Sequence, residues 1–125
     1  MSKKLNNYHD KLTDLIAEEK TRLEELFNFQ ILKIYKNKHF NNGATNNYEI
    51  DIYILGNDFN QGIIEVKSHI GLRDKFFNKQ SKVFRKNHPF AKIYLAYLKK
   101  DKTIKFDNIC FEYLNFKNNY EIDWI

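Results

Sequence analysis

Asp51, Glu65 and Lys67 are the residues whose types and spacing can do chemistry together. They lie in the stretch Tyr48 to Ser68, which reads Tyr-Glu-Ile-Asp-Ile-Tyr-Ile-Leu, then Gly-Asn-Asp-Phe-Asn-Gln, then Gly-Ile-Ile-Glu-Val-Lys-Ser. Two apolar runs around a turn-rich loop predict a β-hairpin. Side chains alternate faces along a strand. Tyr48, Ile50, Ile52 and Ile54 therefore share one face of the first strand, and Glu49, Asp51 and Tyr53 the other. On the second strand Ile63, Glu65 and Lys67 share a face, opposite Ile64, Val66 and Ser68. Glu65 and Lys67 project together, with Asp51 beside them where register allows. Two carboxylates and one ammonium so arranged could hold a divalent cation and a water next to a phosphate.

The flanking segments must position this hairpin. Leu12, Leu15, Ile16, Leu23, Leu26 and Phe27 recur at helical spacing and predict one amphipathic helix from Leu5 to Phe27. Glu19 falls inside that stripe, whereas Glu18, Glu24 and Glu25 fall outside. Either the stripe opens there onto a polar site, or Glu19 marks the edge of the core. Phe29 to Tyr35 reads as a strand. Lys36 to Asn47 is polar, contains Gly43, and reads as a loop. It carries Lys36, Lys38, His39 and Thr45 close to the start of the Asp51 strand, where a loop can hold substrate.

Gly71 to Asn87 is predicted to be a second helix, ended by Pro89. Its apolar face is Leu72, Phe76, Phe77, Val83 and Phe84, and Gln80 falls within it, four residues from both Phe76 and Phe84. Arg73, Lys75, Lys79, Lys82, Arg85 and Lys86 make its other side basic. Ala91 to Leu98 is a strand by its β-branched and aromatic content. The turn Lys99 to Lys102 leads to an expected edge strand, Thr103 to Phe106. The aromatic tail from Asp107 to Ile125 is expected either to pad the domain or to form a subunit interface.

A chain of 125 residues fits one domain spanning 1–125. Its net charge of +5 is unevenly placed. Residues 70–105 hold eleven Lys or Arg against two acids, and the remainder holds ten basic and fourteen acidic residues. A one-sided basic patch suits a polyanion, although a solvated helix face has the same composition. The single cysteine, Cys110, excludes an internal disulfide framework and fits a reducing, cytoplasmic setting. As a small residue in an apolar segment, it is expected to be buried. There is no run of about 18 apolar residues to span a membrane, and the N-terminus lacks the apolar core of a signal peptide. Gly-rich phosphate loops and Cys/His metal spacings are absent. His9, His39, His69 and His88 are scattered, with His69 next to Ser68 near enough to touch a phosphate.

The order helix, strand, Asp strand, Glu-x-Lys strand, helix, strand resembles the PD-(D/E)xK nuclease superfamily over roughly residues 12 to 98. Thirteen residues separate Asp51 from Glu65, a spacing a hairpin accommodates. Ile50 stands where the family often has proline. Among the branches, the chain is most similar to archaeal-type Holliday junction resolvases. The resemblance implies an α/β single domain with a restriction-endonuclease-like core (α-β-β-β-α-β), a central mixed sheet flanked by helices. It implies a Mg²⁺- or Mn²⁺-dependent endodeoxyribonuclease acting as a homodimer on DNA, with branched DNA the preferred form. Asp51, Glu65 and the Val66 carbonyl would hold the metal, with Glu19, or next Glu18, as the helix-borne acid. Lys67 would act at the scissile phosphate, and Gln80 would orient water or Lys67. Lys36, Lys38, Thr45, Ser68, Arg73, Lys75, Lys79, Lys82, Arg85 and Lys86 would contact nucleic acid. The alternatives are a catalytically silent nucleic-acid-binding or protein-interaction domain on the same fold, and a viral or defence nuclease with another substrate.

Overall fold

The structure is a computed structural model and describes residues 3–41, 47–68, 80–114, 116–117 and 121–122. The N-terminal segment forms α1 (Lys3–Ala17) and α2 (Lys20–Phe27), rather than the single helix expected from Leu5 to Phe27. The break falls at Glu19, with φ −97° and ψ 60°, and the ladder restarts when the Leu23 N–H donates to the Glu19 carbonyl at 2.9 Å. An unbroken helix of that length would run about 35 Å. A strand of seven residues such as β3 (Gln61–Lys67) spans about 23 Å. Breaking the helix lets Leu12 and Ile16 of α1 and Leu23 and Phe27 of α2 all reach one core, where each is fully buried. Asn28 ends α2 in the left-handed region, at φ 60°. The Tyr94 hydroxyl donates to the free Leu26 carbonyl at 3.1 Å, and Lys92 Nζ to that of Phe27 at 2.6 Å.

Five strands form one mixed sheet in the spatial order β1 (Ile31–Asn41), β2 (Asn47–Gly56), β3, β4 (Lys92–Leu98) and β5 (Ile109–Tyr113). β1, β2 and β3 are an antiparallel meander, β4 runs parallel to β3, and β5 returns antiparallel to β4. α3 (Ser81–Asn87) lies on the crossover from β3 to β4. The helices cover opposite faces. Ile52, Ile64, Val66 and Ala96 pack with α1 and α2, while Ile63, Ile93 and Leu95 pack with Phe84 of α3. This is an α/β domain. A separate two-stranded pair, β6 (Phe116–Lys117) and β7 (Glu121–Ile122), follows. No helix among the described residues is long and apolar enough to cross a membrane.

Several local expectations are corrected. Residues 36–41 form no loop but continue β1 as an edge strand. Lys36 pairs with Ile52, Lys38 with Ile50 and His39 with Glu49. Polar composition suggested a loop, but an edge strand tolerates it, and cross-strand aromatics hold this one. Phe40 stacks on Tyr48 with ring centroids 5.2 Å apart, and Lys38 lies over Tyr35 at 4.7 Å.

The single apolar face expected for Tyr48, Ile50, Ile52 and Ile54 is also split. Ile52 and Ile54 enter the α1–α2 core, whereas Tyr48 and Ile50 pack on the α3 side. The alternation changes phase at Asp51. β1 shifts with it, since Ile34 packs on the α1–α2 side and Phe40 on the α3 side, with Asn37 at φ 52° between them. Asn tolerates that left-handed conformation better than most residues.

Thr103–Phe106 is not a strand. The Asn108 amide donates to the Thr103 carbonyl at 2.8 Å, a 3₁₀ turn occupies Phe106–Asn108, and the edge strand is β5 instead. β5 therefore resolves part of the tail as sheet, padding the domain. Of the second predicted helix, Ser81–Asn87 is helical, and the segment from Gly71 to Lys79 lies outside the described residues.

Candidate functional site

β2 and β3 pair from Leu55 with Gln61 up to Ile52 with Ile64. One step further, the same register sets Asp51 against Glu65, and there the pairing stops. The Val66 N–H donates to Asp51 Oδ2 at 2.8 Å. The carboxylate thus takes the place of a backbone acceptor at the mouth of the parting strands. A buried N–H needs such a partner.

Glu65 is 3% exposed. Lys67, two residues on and on the same face, brings its Nζ to 3.0 Å from Glu65 Oε2. Lys67 Nζ also donates to Gln80 Oε1 at 3.1 Å. Gln80 is exposed at the start of α3, not enclosed in the helix's apolar face as the spacing suggested. The structure therefore gathers Asp51, Glu65, Lys67 and Gln80 at the carboxyl end of β3.

Glu19 stands elsewhere, at the break between α1 and α2, with its carboxylate 3.8 Å from Arg22 and more than a third exposed. The Arg22 guanidinium in turn pairs with Asp107. Glu18 lies in the same break. The α1 residue that reaches the cluster is His9, whose Nε2 is 3.3 Å from Asp51 Oδ2. Sequence reasoning passed over His9 as one of four scattered histidines. Its signal was present, since His9 precedes Leu12 by three residues and Ile16 by seven and so shares their buried stripe.

The two acids carry unequal charge. Burial, then the charge of Asp51 and a hydrogen bond to it, push Glu65 well above its usual range, and Lys67 only partly opposes this. Burial also acts to raise Asp51, but hydrogen bonds from His9, Glu65 and the Val66 amide outweigh it and hold Asp51 below its usual value. The pair therefore resists full ionisation, and Glu65 is the acid whose charged form is disfavoured. His9 is raised by its hydrogen bond to Asp51, against partial burial.

The expected nucleic-acid contacts are divided. Lys82 and Lys86 are exposed on α3, and Ser68 is half-buried beside Lys67. Lys36 is committed to Asp14 at 2.8 Å, and Lys38 lies over the Tyr35 and Phe40 rings. Arg85 is half-buried and donates to the Pro89 carbonyl. Thr45, His69, Arg73, Lys75 and Lys79 lie outside the described residues. His88 is buried, accepting from the Tyr48 hydroxyl at 2.7 Å, and Cys110 is half-buried rather than enclosed.

No protein-family model, curated protein or solved structure matches this chain. Among the described residues, no group of three or more His, Cys, Asp and Glu side chains is arranged to hold a metal ion. The donor chemistry at Asp51 and Glu65 nevertheless fits a hard divalent cation. Two oxygen donors face each other and need a proton to offset their repulsion, and a divalent ion can take that proton's place.

Proposed function

We propose that Asp51, Glu65 and Lys67 form the active centre of a divalent-metal-dependent endonuclease that hydrolyses phosphodiester bonds in DNA. The observation that carries this reading is the meeting of two carboxylates and one ammonium where β2 and β3 part, with the Asp51 carboxylate bonded to the Val66 N–H at 2.8 Å. The meander of β1 to β3, β4 parallel to β3, and helices on both faces support a restriction-endonuclease-like core. The preferred substrate is branched DNA of the Holliday-junction type, cut by a homodimer that presents one centre to each strand.

Asp51, Glu65 and the Val66 carbonyl would hold Mg²⁺ or Mn²⁺, which when bound supplies Lewis acidity to water and phosphate. The other steps belong to the chain. His9 and the Val66 N–H fix Asp51 through Oδ2. Both carboxylates must be anionic to act together, and the burial of Glu65 opposes that. Lys67, held between Glu65 and Gln80, offers its ammonium to the negative charge that builds on the phosphate. Gln80 accepts from Lys67 through Oε1, so its amide group remains to orient water. Lys82 and Lys86 supply sequence-independent grip on the backbone.

A second reading is a silent binding module. The closed Lys67–Glu65 contact at 3.0 Å favours it, since the Lys67 ammonium already has a partner. One experiment separates the two. A labelled four-way junction and its matched linear duplex are incubated with wild type or Glu65→Ala, in Mg²⁺, Mn²⁺ or EDTA. The nuclease reading expects metal-dependent cutting by wild type only, faster on the junction. Tight binding without cutting of either DNA overturns it in favour of the binding module.

A further inference from the structure

A cavity of about 770 Å³ opens at the carboxyl ends of β3 and β4, immediately beside the Asp51–Glu65–Lys67 cluster. Its walls include Tyr8, Ser68, Tyr97, Lys99, Lys100 and Lys102. Three of these residues neighbour the cluster along the chain or across the ladder. Tyr8 precedes His9, Ser68 follows Lys67, and Tyr97 pairs with Lys67 across the parallel ladder. The crevice outside the carboxyl ends of parallel strands is where open α/β sheets bind ligands, and the volume lies within the roughly 300–1,000 Å³ of small-ligand pockets.

The lining has two kinds of chemistry. Lys99, Lys100 and Lys102 sit on an exposed turn closed by the Lys102 N–H donating to the Lys99 carbonyl at 3.3 Å. Asp101, the one acid on the turn, sits at φ 59°. None of the three lysines has an ion-pair partner among the described residues. Tyr8, half-buried, also lines the cavity. The Tyr97 hydroxyl is spent on Glu112 at 2.7 Å, so its ring serves as wall. Cations and aromatic side chains lining one cavity fit a group that is anionic at one end and flat at the other. A nucleotide has that form, and nucleic-acid proteins hold unpaired bases by stacking on aromatics beside cationic grooves.

We propose that this cavity takes one unpaired nucleotide of the strand whose neighbouring phosphate lies at Asp51, Glu65 and Lys67, its base against Tyr8 and its phosphate against the Lys99–Lys102 turn. The inference rests on the nuclease reading and names its substrate feature: DNA that releases one nucleotide from its stack beside the cut, as a branch point or a single strand does. A base inside an intact duplex cannot enter the cavity without leaving its stack.

Binding is measured by fluorescence anisotropy in EDTA, so that no cutting intervenes, with fluorescein-labelled dT10 and a blunt duplex as probes. Wild type is compared with Tyr8→Ala and Lys100→Gln. Each variant is expected to lose about tenfold in affinity for dT10 and no more than about threefold for the duplex, the share of one phosphate contact. Cys110, the single cysteine, also lines the cavity and gives an independent reading in unaltered protein. Saturating dT10 is expected to slow its modification by a thiol reagent at least fivefold. Equal losses for both probes, or unprotected Cys110 at saturating dT10, overturns the inference. If the junction is still cut in a metal-dependent way, the inference falls alone. If neither DNA binds, the nuclease reading falls with it.

Discussion

The Val66 N–H and the Asp51 carboxylate are bonded at 2.8 Å where a strand-to-strand backbone bond would otherwise lie. One acid therefore serves two purposes: it closes the sheet and it faces the candidate site. Asp51→Ala leaves a buried donor without its acceptor and is expected to cost about 1–3 kcal/mol. Asp51→Asn keeps an oxygen for Val66 and should cost less than about 1 kcal/mol. Both should abolish metal-dependent cleavage. Urea unfolding of the two variants, read beside their cleavage, separates the structural from the chemical role.

Glu65→Gln should stabilise the protein while removing cleavage. The folded protein holds Glu65 well above its usual value, so the native state binds a proton there that the unfolded chain releases at lower pH. Stability from this group is complete below the ordinary value of 4.5 and is lost as pH rises through the raised one. Gln mimics the protonated form and removes that loss. At pH 7 the gain should be on the order of 1 kcal/mol. A midpoint of thermal unfolding that is unchanged or lower would contradict a Glu65 held above its usual value.

Two histidines should tilt the pH profile of stability in opposite directions. Burial holds His88 below the ordinary 6.5, and its partners, the Tyr48 hydroxyl on Nε2 and Gln61 Oε1 near Nδ1, suit the neutral ring. Its contribution is complete above about pH 6.5 and is lost as pH falls through the lowered value. His9 is raised by its bond to Asp51, so its contribution is complete below about pH 6.5 and is lost as pH rises through the raised value. His88→Gln should flatten the acid side of the profile, and His9→Gln the side above neutrality. Urea midpoints for the three proteins between pH 5 and pH 8 test both signs.

Gly62→Ala should destabilise by about 1–3 kcal/mol, as overpacking does. A methyl there would stand 2.7 Å from Phe27 Cε1. That ring cannot swing aside, because it is fully buried and set edge-on to Tyr94 at 5.0 Å. A smaller residue in place of Phe27 should rescue part of the loss, which a double-mutant cycle would measure.

Much of the candidate site was legible in the sequence. Alternation along β3 was enough to put Lys67 on the Glu65 face, and a short connecting loop to bring the Asp51 strand alongside in a register that runs to Ile52 with Ile64. These are local properties, fixed by the two-residue period of a strand and the register of a hairpin. The basic character of the second helix was equally plain, but composition could not say that Arg85 would be half-buried while Lys82 and Lys86 stay exposed.

Tertiary structure decided the rest. Helical spacing singled out Glu19, and His9 passed as one of four scattered histidines. Only the break after Ala17, which bends α2 away, leaves Glu19 beside Arg22 and brings His9 to Asp51 across 42 residues of chain. Strand composition could not reveal the change of phase at Asp51, since it depends on the paired irregularity at Asn37 and on aromatics gathered under α3. Nor could it foretell the acceptor of the Val66 N–H. Local sequence determined which residues share a face. The packing of α1 and α2 against the sheet determined which of those faces meet, because apolar burial acts on the whole surface at once.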